Sequence, residues 1–93
     1  MKLISIDYDG SYSLMPELFD CIIEKATSLG YKVILVTMRY PEEVDEGLLA
    51  VMDKVKETYF TGRQAKLPFL ALKGLKPDLW IDDSPFWLLH DSK

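Results

Sequence analysis

Apolar residues in this chain alternate between two periodicities. Short continuous runs, Leu3-Ile4-Ser5-Ile6, Val33-Ile34-Leu35-Val36 and Leu79-Trp80-Ile81, have strand length, and the second is rich in β-branched residues, as strands covered on both faces are. A shorter run, Thr58-Tyr59-Phe60-Thr61, predicts a further strand. Between the runs the spacing becomes helical. Leu18, Cys21, Ile22, Ala26 and Leu29 predict a first helix, with Pro16 in its opening turn and Gly30 at its stop. Val44, Leu48, Val51, Met52 and Val55 predict a second, opening at Pro41-Glu42-Glu43. A third spans Lys66 to Lys73; Pro68 keeps it from starting much before Ala65, and Gly74 with Pro77 ends it. The sum is β-α-β-α-β-α-β over residues 1–93, read as one α/β domain. Regular alternation of this kind implies a mostly parallel sheet with right-handed crossovers.

Open α/β sheets collect functional groups beyond the carboxyl ends of their strands. Those ends carry Asp7, Thr37, Thr61 and Asp82, and two of them are doubled, by Asp9 and by Asp83. If the first and last runs pair as neighbours, acids from opposite ends of the chain meet at one edge. Two carboxylates about 4 Å apart repel by roughly 4 kcal/mol at an effective dielectric near 20, so the cluster calls for a divalent cation or a raised pKa. Taken singly, each feature has a plainer reading. Asp9-Gly10 is a common turn, Thr37 can simply end a strand, Lys66 can be an exposed helix lysine, and Asp82-Asp83 before Ser84-Pro85 can be a solvated turn.

Composition narrows the alternatives. The 93 residues leave room for one core, and no apolar run approaches the roughly 20 residues of a membrane span. The opening Met1-Lys2-Leu3-Ile4-Ser5-Ile6-Asp7 is too briefly apolar for a signal peptide, so a cytoplasmic protein is expected. A single cysteine, Cys21, excludes an internal disulfide and a thiolate metal cluster; among Phe19, Ile22 and Ile23 it reads as a buried inert thiol. The net charge of -4 disfavours broad binding to nucleic acid. His90 has no partner at a telling spacing. The acids Glu42, Glu43, Asp45 and Glu46 read as a solvated helix start, favoured by the helix dipole.

Considered together and in order, Asp7-Tyr8-Asp9-Gly10-Ser11, Val36-Thr37-Met38-Arg39, Lys66 and Ile81-Asp82-Asp83 resemble the four motifs of the haloacid dehalogenase superfamily, over nearly the whole chain. The resemblance implies a three-layer Rossmann-like core with strand order 3-2-1-4 and a Mg²⁺-dependent phosphomonoester hydrolase. By it, Asp7 is the nucleophile that forms an aspartyl-phosphate, and Asp9 is the general acid and base. The family's dehalogenases lack an acid at this second position, so Asp9 points to phosphoryl transfer. Thr37 and Lys66 would stabilise charge on the phosphoryl oxygens. Asp7, Asp82 and the backbone carbonyl of Asp9 would hold Mg²⁺, with Asp83 one step removed. Gly10 and Ser11 would line the phosphate site; Ser11 stands where the family more often has Thr, and the hydroxyl is kept. Arg39 is placed to bind a substrate anion, or equally to pair with Glu42 or Glu43. Arg63, just past the third strand, is a weaker candidate of the same kind.

Many relatives of that superfamily insert a cap domain after the first motif or between the second and third. Neither stretch has room for one in this sequence. An open site of this kind suits a phosphorylated small molecule, a macromolecular phosphate end that covers it, or a second copy of the chain as a shield. The apolar tail Phe86-Trp87-Leu88-Leu89 is expected to pack back on the sheet, or else to form a dimer contact. Two rival readings stand beside the phosphatase. One is a non-catalytic Mg²⁺-binding module with the same fold; the other is a receiver-like phosphoacceptor, which the lack of an Asp after the second or third strand disfavours.

Overall fold

Strand formation follows the apolar runs closely. The fold is a computed structural model that describes residues 2–92. Four strands, β1 (Leu3–Ile6), β2 (Lys32–Thr37), β3 (Glu57–Phe60) and β4 (Leu79–Ile81), form one all-parallel sheet in the order β3-β2-β1-β4. The helices are α1 (Pro16–Ser28), α2 (Glu46–Met52), α3 (Lys66–Ala71) and α4 (Phe86–Leu89). Alternate residues of the two central strands serve two cores. Ile4, Ile6, Val33 and Leu35 pack with Phe19, Ile23 and Ala26 of α1 and Leu48 and Val51 of α2. Ile34 and Val36 face the other way onto Leu70 of α3, flanked by Tyr59, Phe69 and Trp80. The sheet is thus the middle of three layers, as a doubly covered parallel sheet requires. Among the described residues, no helix is long and apolar enough to cross a membrane.

The buried face of α1 differs from the expected one. Ala26 is buried as expected and Ile22 lies at the margin, but Phe19 and Ile23 take the inward positions, whereas Leu18, Leu29 and Cys21 are exposed. Both sets satisfy helical spacing, and the larger aromatic surface of Phe19, edge-on to Tyr12 at 6.2 Å, settles which is buried. Cys21 is therefore a surface thiol and not a core one.

The second helix also starts later than Pro41. Pro41–Glu43 form a single 3₁₀ turn, Val44 is extended, and Asp45 caps α2 by accepting from the Leu48 N–H at 2.9 Å. Two contacts close the earlier turn: Tyr40 N–H donates to the Glu43 carboxylate (2.7 Å), and Arg39 Nη1 takes the Glu43 carbonyl (2.8 Å). The extended backbone at Val44 and Asp45 is what separates this turn from α2. Val55 then lies beyond α2, although it still packs on the core.

Candidate functional site

Parallel register brings the ends of β1 and β4 side by side. Ile6 pairs with Ile81, and the Asp7 N–H donates to the Ile81 carbonyl at 3.0 Å, so Asp7 and Asp82 leave the sheet as neighbours. Lys66, the first residue of α3, reaches both: its Nζ lies 2.7 Å from Asp7 Oδ1 and 2.6 Å from Asp82 Oδ2. Lys66 is only 3 % exposed and Asp7 7 %, so this is a buried ionic triad and not a surface pair. Burial pushes the Asp7 carboxyl up to about 7; Lys66 pulls against that, and the nearby Asp82 and Asp83 add to it.

Ser11 joins the triad to Asp83. Its hydroxyl donates to Asp7 Oδ2 at 3.4 Å and accepts from the Asp83 N–H at 3.2 Å. Gly10 makes this approach feasible. Its φ is +82°, and a Cβ at that position would run into the Asp83 carboxylate. A Gly10→Ala variant is therefore expected to lose about 1–2 kcal/mol from the left-handed backbone alone, and further stability from displacing Asp83. Its melting temperature should drop and its affinity for a divalent cation should weaken, read by thermal unfolding and cation titration.

Carboxylate oxygens of Asp7, Asp82 and Asp83 all lie within 4.8 Å of one another. Hard oxygen donors at that spacing fit Mg²⁺ or a similar cation. Asp83, expected one step removed, brings its own carboxylate into the group. The Asp9 carboxylate stands outside it, so any share Asp9 has in holding a cation falls to its backbone carbonyl.

Asp9 is instead gripped by Arg39, whose Nε and Nη2 donate to its two oxygens at 3.0 and 2.8 Å. The guanidinium also bonds Asp45 Oδ2 (3.1 Å) and lies 5.1 Å over the buried Tyr8 ring. Neither Glu42 nor the Glu43 side chain is its partner. Asp45 and Tyr8 escaped sequence reading because one looks like a helix-start acid and the other like a strand-end aromatic. The one available signal for Asp45 is its closeness in sequence to Arg39. Thr37 is buried beneath the cleft lining and is not part of it; its hydroxyl accepts from the Arg39 N–H at 3.2 Å.

The other strand-end residues do not join the cleft. Thr61 donates its N–H to the Thr37 carbonyl (2.8 Å), and its hydroxyl is buried without a partner. Arg63 pairs with Glu43 (2.9 Å) and the Met38 carbonyl (3.1 Å). Glu43 and Asp45 are thus ion-pair partners of Arg63 and Arg39, not a merely solvated helix start. His90 is stacked on Phe86 at 4.0 Å, and α4 folds back onto α3 instead of spreading over the sheet.

Asp7, Asp82 and Asp83 line a cleft of about 240 Å³ together with Asp9, Lys66, Ser84, Ser92, Met38 and Trp87. Larger surface depressions exist elsewhere, such as one between α1 and Lys54, but they hold no comparable convergence of ionisable groups. Set against family models, curated proteins and solved structures, the chain matches none.

Proposed function

We propose that this chain is a capless Mg²⁺-dependent phosphomonoester hydrolase of the haloacid dehalogenase type. One observation carries the reading: Asp7 and Asp82, from opposite ends of the sequence, share one buried lysine at the mouth of a cleft. Two carboxylates on one buried ammonium beside a third carboxylate concentrate fixed charge in a cleft, as stabilising a phosphoryl-transfer transition state requires. The superfamily assignment rests on the motif spelling together with this geometry.

The reaction distributes over the chain's own groups as follows. Lys66 holds Asp7 Oδ1, which leaves Oδ2, hydrogen-bonded by Ser11 at 3.4 Å, to attack phosphorus. The ester oxygen leaves with a proton from Asp9, and a phosphorylated Asp7 results. Water then attacks that phosphorus and gives its proton to Asp9; phosphate departs, and both carboxyl groups are restored. Lys66 offsets charge on the acceptor. Mg²⁺ bound at Asp7, Asp82 and Asp83 would supply Lewis-acid neutralisation of the phosphoryl oxygens. The substrate is a phosphorylated small molecule or a macromolecular phosphate end, and a second copy of the chain is one route to covering the open cleft.

One contact favours the non-catalytic Mg²⁺-binding module instead. Both Asp9 oxygens are occupied by Arg39, so Asp9 must exchange that partner before it can carry a proton toward a leaving group. The sheet order 3-2-1-4, unlike the 2-1-3-4-5 order of flavodoxin-like receivers, counts against the phosphoacceptor reading. Hydrolysis of a generic aryl phosphate separates the first two. Turnover that appears with Mg²⁺ and vanishes with a chelator is the expected result. Pure, folded protein that binds Mg²⁺ yet releases no phosphate from any phosphomonoester would leave the binding module.

A further inference from the structure

Two apolar residues stand out in a cleft lined mainly by polar and ionised groups: Met38 and Trp87. They come from opposite sides. Met38 follows the end of β2 and Trp87 lies in α4, after β4; in the sheet order β2 and β4 flank β1, whose end carries Asp7. The segment bearing Trp87 is fixed at both ends to residues of the site or its immediate neighbours. Before it, the Ser84 N–H donates to Asp82 Oδ1 at 2.9 Å and the Trp87 N–H to the Ser84 carbonyl at 3.1 Å. After it, Asp91 Oδ1 accepts from the Ala65 N–H at 2.6 Å, and the Ser92 N–H donates to the Arg63 carbonyl at 2.7 Å. Phe86 packs edge-on to the indole at 4.9 Å. A tail tied this way is a standing wall, in a chain with no inserted cap.

We infer that Trp87 and Met38 form the leaving-group subsite, and that the preferred ligands are phosphate esters whose alcohol carries a flat aromatic ring close to phosphorus. The inference rests on the phosphatase reading for its reaction, but not for its binding. An indole face rewards a planar ring over an aliphatic group, and a thioether suits a ring edge. Size sets the limit. A cleft of about 240 Å³ falls below the roughly 300–1,000 Å³ of pockets that enclose drug-sized ligands, so it takes a phosphoryl group and one ring, with anything larger projecting into solvent.

The test compares phenylphosphonate with methylphosphonate, whose carbon–phosphorus bonds resist hydrolysis, by calorimetric titration with Mg²⁺ present. Phenylphosphonate should bind about tenfold more tightly to the wild type, a difference of about 1.4 kcal/mol. That ratio should fall to near one in Trp87→Ala and survive in part in Trp87→Phe, which keeps a ring at the site. A wild-type ratio near one, a ratio unchanged in Trp87→Ala, or binding of neither phosphonate overturns the inference. Hydrolysis of phenyl phosphate is scored separately. Ring preference without turnover removes the phosphatase and keeps the subsite, whereas turnover without ring preference does the reverse.

Discussion

Asp7→Asn should abolish hydrolysis, lowering the rate by at least about a thousandfold, while leaving a folded protein. The amide keeps the shape of the side chain but cannot accept a phosphoryl group in a usable form. Its effect on stability should carry a pH signature. Burial raises the Asp7 carboxyl to about 7 in the folded, metal-free protein, against an ordinary value near 4 in the unfolded chain. Between those values the folded state binds more protons, so the stability contribution of Asp7 is greatest below about pH 4 and declines as pH rises through about 7. Asn does not titrate. In chelator, the variant should therefore gain on the wild type as pH rises from 5 to 8, by an amount on the order of a few kcal/mol. Added Mg²⁺ should reverse the comparison at pH 8, because the cation stabilises only the carboxylate form. Thermal melts at the two pH values, with and without Mg²⁺, read all of this. An Asn variant that hydrolyses phosphate within tenfold of the wild type would remove Asp7 as nucleophile.

Most of the layer architecture was legible because strand and helix periods differ, and because parallel strands buried on both faces are continuously apolar. Val33-Ile34-Leu35-Val36 could hardly be anything else, and all four are buried. Helix rotation was not legible. Leu18-Ile22 and Phe19-Ile23 both lead to Ala26 at helical spacing, and the choice between them depends on Tyr12, which lies on a different element. The start of α2 was illegible for a similar reason. Pro41 is a sound first-turn residue, yet the chain is extended at Val44 and Asp45, and Asp45 caps the helix through the Leu48 N–H.

For the site, order along the chain was enough to nominate Asp7, Asp82 and Asp83, because strands that pair in a sheet bring their terminal residues together; Lys66, on a helix, was nominated only by the motif resemblance. Partner choice among exposed charges was beyond that logic. Arg39 has four acids nearby in sequence and takes Asp45 from them, with Asp9 from another strand end, because the turn at Gly10 delivers Asp9 to it. Trp87 was seen as part of an apolar tail in need of cover. Its place in the cleft depends on Asp91 and Ser92 binding Ala65 and Arg63 just before α3, which leaves no periodic trace in the sequence.

Lys66→Met should be the most destabilising single change at the site. Methionine preserves the apolar stem and removes the charge, leaving Asp7 and Asp82 buried without their common partner. Breaking a buried pair in this way typically costs about 3–5 kcal/mol, a large share of the roughly 5–15 kcal/mol available to a small domain. The melting temperature should fall by about 10 °C or more at neutral pH. The loss should depend on pH in a stated direction. With Lys66 gone, its pull on Asp7 is gone, so the carboxyl titrates still higher than about 7 and is protonated under mildly acidic conditions. The variant should thus lie nearest the wild type at pH 5, where a neutral Asp7 needs no counter-charge, and furthest at pH 8. Mg²⁺ should restore part of the stability at pH 8 by taking the vacated position of positive charge, without restoring turnover. A drop that is uniform across pH and indifferent to Mg²⁺ would mean that Lys66 matters through the packing of its stem. In that case the triad would be a structural strut, and the charge concentration on which the phosphatase reading depends would not exist.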